Sequence, residues 1–515
     1  MSAFAFTTRP DGLSVDGARG LATWTVELEP GTSTTIGFTL AIGRDATSAT
    51  DTALDNAGSF DRVFDGVRAS WERLWHDAFR PGNTEFSGYL PTLVTPDRDL
   101  ARTYYLGALL AVYMRNTEIS SLGPVFLTGG PRLGATTTFF WDQAEWARTA
   151  ALLEPAGMRA WIVAALSQPY DSSHSFDTYN LLPIGNHYAS NDHSLFRIAE
   201  AYVGITGDLA VLDEYAGRMT VIDHLRKLAY RPRITSARFG DRVLVDFGDD
   251  AWELLECVPN YRHAVVSFNA GYVGMLRGFG DLLRLLGDEE EAAQAEADAD
   301  RLAAAVVDRY AGHGRWSIMT PHGGDVIGHC LDFALVAAEM SESLSGEQRS
   351  ELVDFVSTKL IDGDWMRALD PSDSIAPLSD RPDHGAAGAF AAWPGATAYG
   401  LCRLGRPEIA LGILQRAHRA TSGALWGQAM EVTEDGGYRV AERGISNRES
   451  NAAVAMTEAV IGGLFGIEGD FGSLAHPAGA AKSSAGTLRN VRAVGFDLRR
   501  PVGIEAVERA SASAS

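Results

Sequence analysis

From residue 98 to about 465, apolar side chains recur every three or four positions, the spacing that lines one face of a helix. The pattern predicts twelve helices: 98–116, 142–153, 156–167, 192–206, 208–229, 264–287, 289–311, 330–341, 346–360, 386–404, 406–420 and 449–465. Pro155 and Pro407 stand near helix starts, and Gly207, Gly287 and Gly405 where helices should stop. The links alternate in length. Thr206-Gly207-Asp208, Gly287-Asp288 and Leu404-Gly405-Arg406 are short, whereas the stretches near 168–191, 230–262, 361–385 and 421–448 are long. Short links join antiparallel neighbours, and long loops in a compact domain usually carry function. Six helical hairpins closed in a ring satisfy the alternation. The expected fold is mainly α, an (α/α)6 barrel over 96–470 with its long loops gathered at one end.

Residues 1–75 break the pattern. Thr23–Leu28 and Thr34–Gly43 are rich in β-branched and aromatic residues and flank a Pro30-Gly31 turn, which predicts two strands. Two strands do not make a stable domain alone. They are either a sheet fragment laid on the helical body or the remnant of a β-sandwich. A bridging helix is expected around 60–79. Residues 471–515 read as a C-terminal extension with one strand over 491–498 and a frayed end.

Composition narrows the function. Acidic residues outnumber basic ones 66 to 44 in 515 residues, a formal net charge of -22. Such a surface repels phosphate backbones, and no basic stripe interleaved with aromatics offsets it, so nucleic acid is not an expected partner. Cys257, Cys330 and Cys402 are odd in number and widely spaced, which suggests free thiols in a reducing compartment. The first residues lack a signal-peptide pattern, and no apolar run approaches the roughly 20 residues of a membrane span. These features predict a cytoplasmic protein without a membrane partner.

The long loops concentrate acids and aromatics. They carry Trp141-Asp142, Asn186-His187, Asp246-Phe247-Gly248-Asp249-Asp250-Ala251-Trp252-Glu253 with Glu256, Tyr261 and His263, Arg381-Pro382-Asp383-His384, Trp393, and Trp426 with Glu431. Sugar recognition needs flat apolar faces for the ring and bidentate polar groups for its hydroxyls. Glycosidic hydrolysis needs one carboxylic acid to protonate the leaving oxygen and one carboxylate to activate water or attack. The histidines show no HExxH or other metal spacing, and no nucleotide-binding loop or serine nucleophile elbow is present. No cofactor or metal is expected.

The order of these motifs resembles the inverting (α/α)6 glycosidases of the trehalase, processing α-glucosidase and mannosylglycerate hydrolase type. Phe140-Trp141-Asp142-Gln143 resembles the family's aromatic-Trp-Asp-Ser, and Leu182-Pro183-Ile184-Gly185-Asn186 its Ile-Pro-Asn-Gly. Asp246–Ala251 is similar to the family's Glu-Ser-Gly-Trp-Asp-Phe, and Val266-Ser267-Phe268-Asn269-Ala270 to its Val-Asp-Leu-Asn-Ala. Asp383-His384-Gly385 with Ala392-Trp393-Pro394 resembles Asp-Pro-Asn-Gly-Trp, and Met430-Glu431 the Met-Glu of Met-Glu-Lys-Tyr. The resemblance implies Asp250 as general acid, Glu431 as general base, and Trp141, Asp142, Asn186 and Asp383 as sugar contacts. Asp249 replaces the family's tryptophan and Val432-Thr433 its Lys-Tyr, so Asp246, Asp249 and Glu256 are rivals for the acid.

The expected activity is therefore inverting hydrolysis of a small-molecule carbohydrate, an α-linked short oligosaccharide or glycoconjugate. Two other readings start from the same barrel. One is a non-catalytic carbohydrate-binding or scaffold protein. The other is a glycoside phosphorylase, which would need a Lys/Arg cluster beside Glu431 that the sequence does not show.

Overall fold

The computed structural model describes residues 1–17, 19–128, 136–235, 242–379, 381–421, 429–433, 435, 438–440, 451–475, 485–492 and 502–503. Two compact units result, Met1–His76 and Asp77–Ser515.

In the first unit, strand Ser2–Phe6 pairs antiparallel with Phe38–Ile42, and Gly12–Asp16 with Arg19–Thr23. Helix Ala46–Gly58 lies on the first pair over a core of Ala5, Ala41 and Ala53, with Ala3 and Ala57 packed against it. Alanine faces let helix and sheet approach closely. The opposite sheet face carries Phe4 against Leu40 and Phe6 against Phe38. Helix Phe60–Asp77 matches the expected bridging element and buries none of its own residues. The expected strand over 23–28 is irregular beyond Thr23, where the Thr25 amide donates to the Asp11 carboxylate and the Trp24 indole to the Thr8 carbonyl.

The second unit is the (α/α)6 barrel. Six inner segments close a ring by successive packing: Phe140–Ala144 continued by Ala147–Leu153, then Asn191–Thr206, Val266–Leu286, Cys330–Met340, Trp393–Arg403 and the stretch 451–464, which returns to the first. Outside run Arg98–Met114, Pro155–Leu166, Val221–Ala229, Glu289–Val307, Gly346–Phe355 and Pro407–Thr421. Gly207 and Gly287 stop their helices at φ of 72° and 86°, a left-handed conformation that glycine adopts without strain.

Departures from the predicted helices have local causes. The span 208–229 contains a 3-10 turn Leu209–Asp213 and a hairpin Tyr215–Ala216/Met219–Thr220 before its helix, which Thr220 caps through the Asp223 amide. Helix 142–153 is broken at Glu145-Trp146. The last inner segment passes from 3-10 (Asn451–Val454) through α (Ala455–Glu458) to π (Ala459–Leu464). Residues 388–390 form a strand, not the start of a helix, because Ala429–Val432 pairs with them. In the C-terminal extension Thr487–Arg489 pairs antiparallel with Thr92–Val94 and with Val502–Gly503; of the expected strand 491–498, residues 493–498 lie outside the described residues.

Buried polar groups tie the loops to the ring. Asn269 accepts from the Val245 amide at 2.8 Å and donates to the Val245 carbonyl at 3.2 Å, fixing the start of the acid-rich loop. Asp332 accepts from the Tyr261 hydroxyl at 2.6 Å and from the Ser267 amide at 3.0 Å. Burial pushes the carboxyls of Asp332 and Glu145 up to about 7. At Glu339 burial also acts, but Arg197 and His193 outweigh it and hold the carboxyl down at about 2. All three titrate near ~4 in an unfolded chain. Glu339 therefore contributes stability that is present above about pH 4 and lost as pH falls toward about 2. Asp332 and Glu145 act the other way: the unfolded chain sheds their protons first, so stability declines as pH rises from about 4 to about 7. Thermal unfolding followed by circular dichroism should show that decline, with a shallower slope in Asp332→Asn. Equal slopes in variant and parent would refute the assignment.

Candidate active site

In a ring of hairpins the inner helices run parallel, so all six begin at one end. Unpaired backbone N–H groups and the positive ends of the helix dipoles collect there. The long connections precede these starts, and part of the expected site set gathers there: Trp141, Glu256, Arg381, Asp383, His384, Trp393 and Glu431.

An aromatic floor comes first. Trp141, on the first turn of its inner helix, stacks on His384 with ring centroids 6.0 Å apart and planes 9° from parallel. Trp393, the first residue of another inner helix, meets both edge-on at 5.8 Å. Phe268 and Phe390 extend the cluster at 6.1 Å from Trp141 and 5.7 Å from Trp393. Each indole N–H is anchored: Trp141 donates to Glu145 Oε1 at 2.7 Å and Trp393 to the Asp383 carbonyl at 3.0 Å. Below them His329 caps its helix by accepting from the Leu331 amide at 3.0 Å, and its Nε2 lies 2.9 Å from the His384 carbonyl. Burial pulls its pKa down to about 3, so the ring is neutral and Nε2 carries the donated proton.

Beside the floor lies a charged cluster. Glu256 accepts from the Tyr188 hydroxyl at 2.6 Å, and the Arg381 guanidinium lies 3.4 Å from its other oxygen. Arg381 also pairs with Asp383, which accepts from the His384 amide at 3.0 Å and faces Cys257 Sγ at 3.6 Å. Burial raises the Asp383 carboxyl, but His384, Arg381 and the backbone donor outweigh it and hold the group below its ordinary value. Burial, the Glu256 charge and its hydrogen bond, with Asp142 adding, push the Tyr188 phenol far up, so it stays a donor. His174 stacks on Tyr188 at 4.6 Å and on Phe139 at 5.1 Å, which locks the phenol in place.

Glu431 sits on strand Ala429–Val432, directly opposite Gly388. Side chains of opposed residues share one sheet face, so Glu431 is on the face that carries Phe390 to His384 and Trp393. A Cβ at Gly388 would lie 2.0 Å from the Met430 carbonyl oxygen and 2.9 Å from the Glu431 Cα. Only glycine allows this approach.

The other described candidates make contacts of their own, and Tyr261 also meets His329 with ring centroids 5.7 Å apart. Asp246 pairs with His263 at 3.0 Å, and Asp249 with His263 at 3.3 Å and Arg262 at 2.8 Å. Asp250 is exposed and accepts from the Trp252 amide at 2.9 Å, capping the turn Ala251–Glu253; Trp252 itself is 58% exposed. Asn186 is exposed and donates to the His187 carbonyl, while His187 stands 3.8 Å from Glu253. Tyr261 is wholly buried against Asp332. Trp426 lies outside the described residues. Sequence reasoning missed Tyr188, His174 and Glu145. The spacing of Trp141 and Glu145, four residues apart on a helix, was the one readable signal.

No protein-family model matches the sequence, and no curated protein matches it. Solved structures do resemble it. A sialidase superposes with a TM-score of 0.57 at 13% identity over 79% of this chain and 38% of its own. A bacterial glucoamylase complexed with acarbose gives 0.53 at 13% identity over 85% and 64%. A rhamnosidase from Klebsiella oxytoca with rhamnose bound gives 0.52 at 12% identity over 73% and 66%. The chain thus spans between 38% and 66% of the length of these proteins. At such identities the likeness is one of fold: the barrel is an architecture shared with glycosidases.

Proposed function

We propose that the chain is a glycoside hydrolase that cleaves an α-linked glycoside at the mouth of the helical ring, with inversion. The supporting observation is the meeting of an aromatic floor, Trp141 with His384 and Trp393, and a hydrogen-bonded carboxyl cluster around Glu256 at the inner-helix N-termini. A sugar ring stacks on Trp141, the half-buried ring of the floor, with Trp393 and His384 buried behind it, and Arg381 and Asp142 take its hydroxyls. The rhamnosidase and glucoamylase folds support a carbohydrate as ligand class.

Arg381 faces two carboxyls. Asp383 pairs with Arg381, and Glu256, which accepts from the Tyr188 hydroxyl in the same cluster, is the proposed donor to the leaving oxygen. Glu431, on the strand opposite, draws a proton from the attacking water. Asp250 is the rival donor, and a parallel Asp250→Asn variant separates the two. A panel of aryl α-glycosides and disaccharides tests the reading: turnover of at least one, lost in Glu256→Gln, is expected. No turnover across the panel would favour a sugar-binding scaffold.

The Glu431 strand gives an independent check. Gly388→Ala must push strand 429–432 away, and a misplacement of about 1 Å at a catalytic group costs on the order of a hundredfold. The variant should lose about that factor in kcat while remaining folded by circular dichroism. Parent-like kcat would remove Glu431 from the chemistry.

A further inference from the structure

Beneath the aromatic floor, on the barrel axis, lies a hollow of about 110 Å³ whose lining includes Trp141, Glu145, Arg148, Arg197, Glu339 and Glu458. Nearly every charge in it is spoken for. Arg148 pairs with Glu458 at 3.1 Å and takes the Tyr399 hydroxyl as a further acceptor. Arg197 pairs with Glu200 and stands 3.8 Å from Glu339, which also holds His193 at 3.0 Å. Glu145 differs. Among the described residues its carboxyl accepts one hydrogen bond, from the Trp141 indole N–H at 2.7 Å, and it has no cation partner.

Resting on the glycosidase reading, we propose that Glu145 is a positioning residue: from the hollow it holds the Trp141 indole, and so sets how firmly the floor meets a sugar. The break of the helix after Ala144 leaves Glu145 as its C-terminal cap residue, turned beneath the indole four positions back. Asp142 on its own helix, Glu458 from the 451–464 segment and Cys330 from the Cys330–Met340 helix lie within its electrostatic reach. His193 and Arg197 from Asn191–Thr206, Glu339 from Cys330–Met340 and Tyr399 from Trp393–Arg403 line the same hollow. The cations among them are already matched by carboxylates. Burial, with Asp142 and Glu458, therefore keeps the proton on Glu145 up to about pH 7. Above that the carboxylate accepts from the indole N–H in a charge-assisted bond, shorter and stronger than the neutral one.

The test reads the indole directly. With the tryptophans ¹⁵N-labelled and the Trp141 resonance assigned by its loss in Trp141→Phe, the N–H proton should move downfield as pH rises, with a midpoint near 7. In Glu145→Gln, which keeps an acceptor, the resonance should persist without titrating. On whichever glycoside is turned over, Glu145→Leu should raise KM about tenfold with a smaller change in kcat, and Glu145→Gln should restore KM but remove its pH dependence. A Trp141 resonance that fails to titrate, or that titrates equally in Glu145→Gln, overturns the proposal. So does an unchanged KM in Glu145→Leu. The resonance needs no substrate, so this result stands apart from the success or failure of the hydrolase reading.

Discussion

Glu256→Gln is expected to lower kcat about a thousandfold on glycosides with alcohol leaving groups and far less on those with acidic phenols. General acid catalysis is worth roughly 10² to 10⁴, and that contribution shrinks when the departing oxygen needs no proton. Tyr188, donating at 2.6 Å, and Arg381, which Asp383 shares, hold the Glu256 carboxyl. Glutamine preserves the size of the side chain and an acceptor for Tyr188, so the loss would report the missing proton and not a collapsed loop. Initial rates over a series of aryl glycosides of graded phenol acidity give the measurement. A loss that is flat across the series would assign Glu256 to positioning, and a steep loss in Asp250→Asn instead would move the donor to the exposed tip of the loop.

The second large effect falls on Glu431. Its replacement by Gln should cost about 10³ to 10⁴ in kcat whatever the leaving group, because activation of water is needed for every substrate. KM should change little, since the aromatic floor and the Arg381–Asp383 pair are untouched. The contrast between a leaving-group-dependent loss at 256 and a uniform loss at 431 is the signature of an acid and a base. Equal patterns in the two variants would contradict that division of labour.

The barrel was legible because helices write their buried face into the sequence every three or four residues, and glycines such as Gly207 and Gly287 mark the stops. Where regular helix gave way, as at the Tyr215–Ala216/Met219–Thr220 hairpin inside 208–229 or the strand at 388–390, strand pairing replaced the local pattern. The site was legible as an inventory and not as an arrangement. Trp141, Asp383 and His384 could be named because aromatic and acidic residues cluster in and beside long loops, and Trp393 because of the resemblance of its motif. Which carboxyl of the 246–256 stretch points inward could not, since a loop has no period. The answer depends on Tyr188 and Arg381, 68 residues before and 125 residues after Glu256. Asp250, which the family resemblance implies as general acid, caps a turn through the Trp252 amide.

The configuration of the newly released sugar bears most directly on a two-carboxyl, single-displacement mechanism. Proton NMR of the anomeric region during the first minutes of hydrolysis of an α-glycoside should show the β-anomer appearing first, with the α-anomer growing only by mutarotation. Initial release of the α-anomer would mean a covalent glycosyl intermediate, and the pairing of Glu256 as proton donor with Glu431 as water-activating base would have to be abandoned.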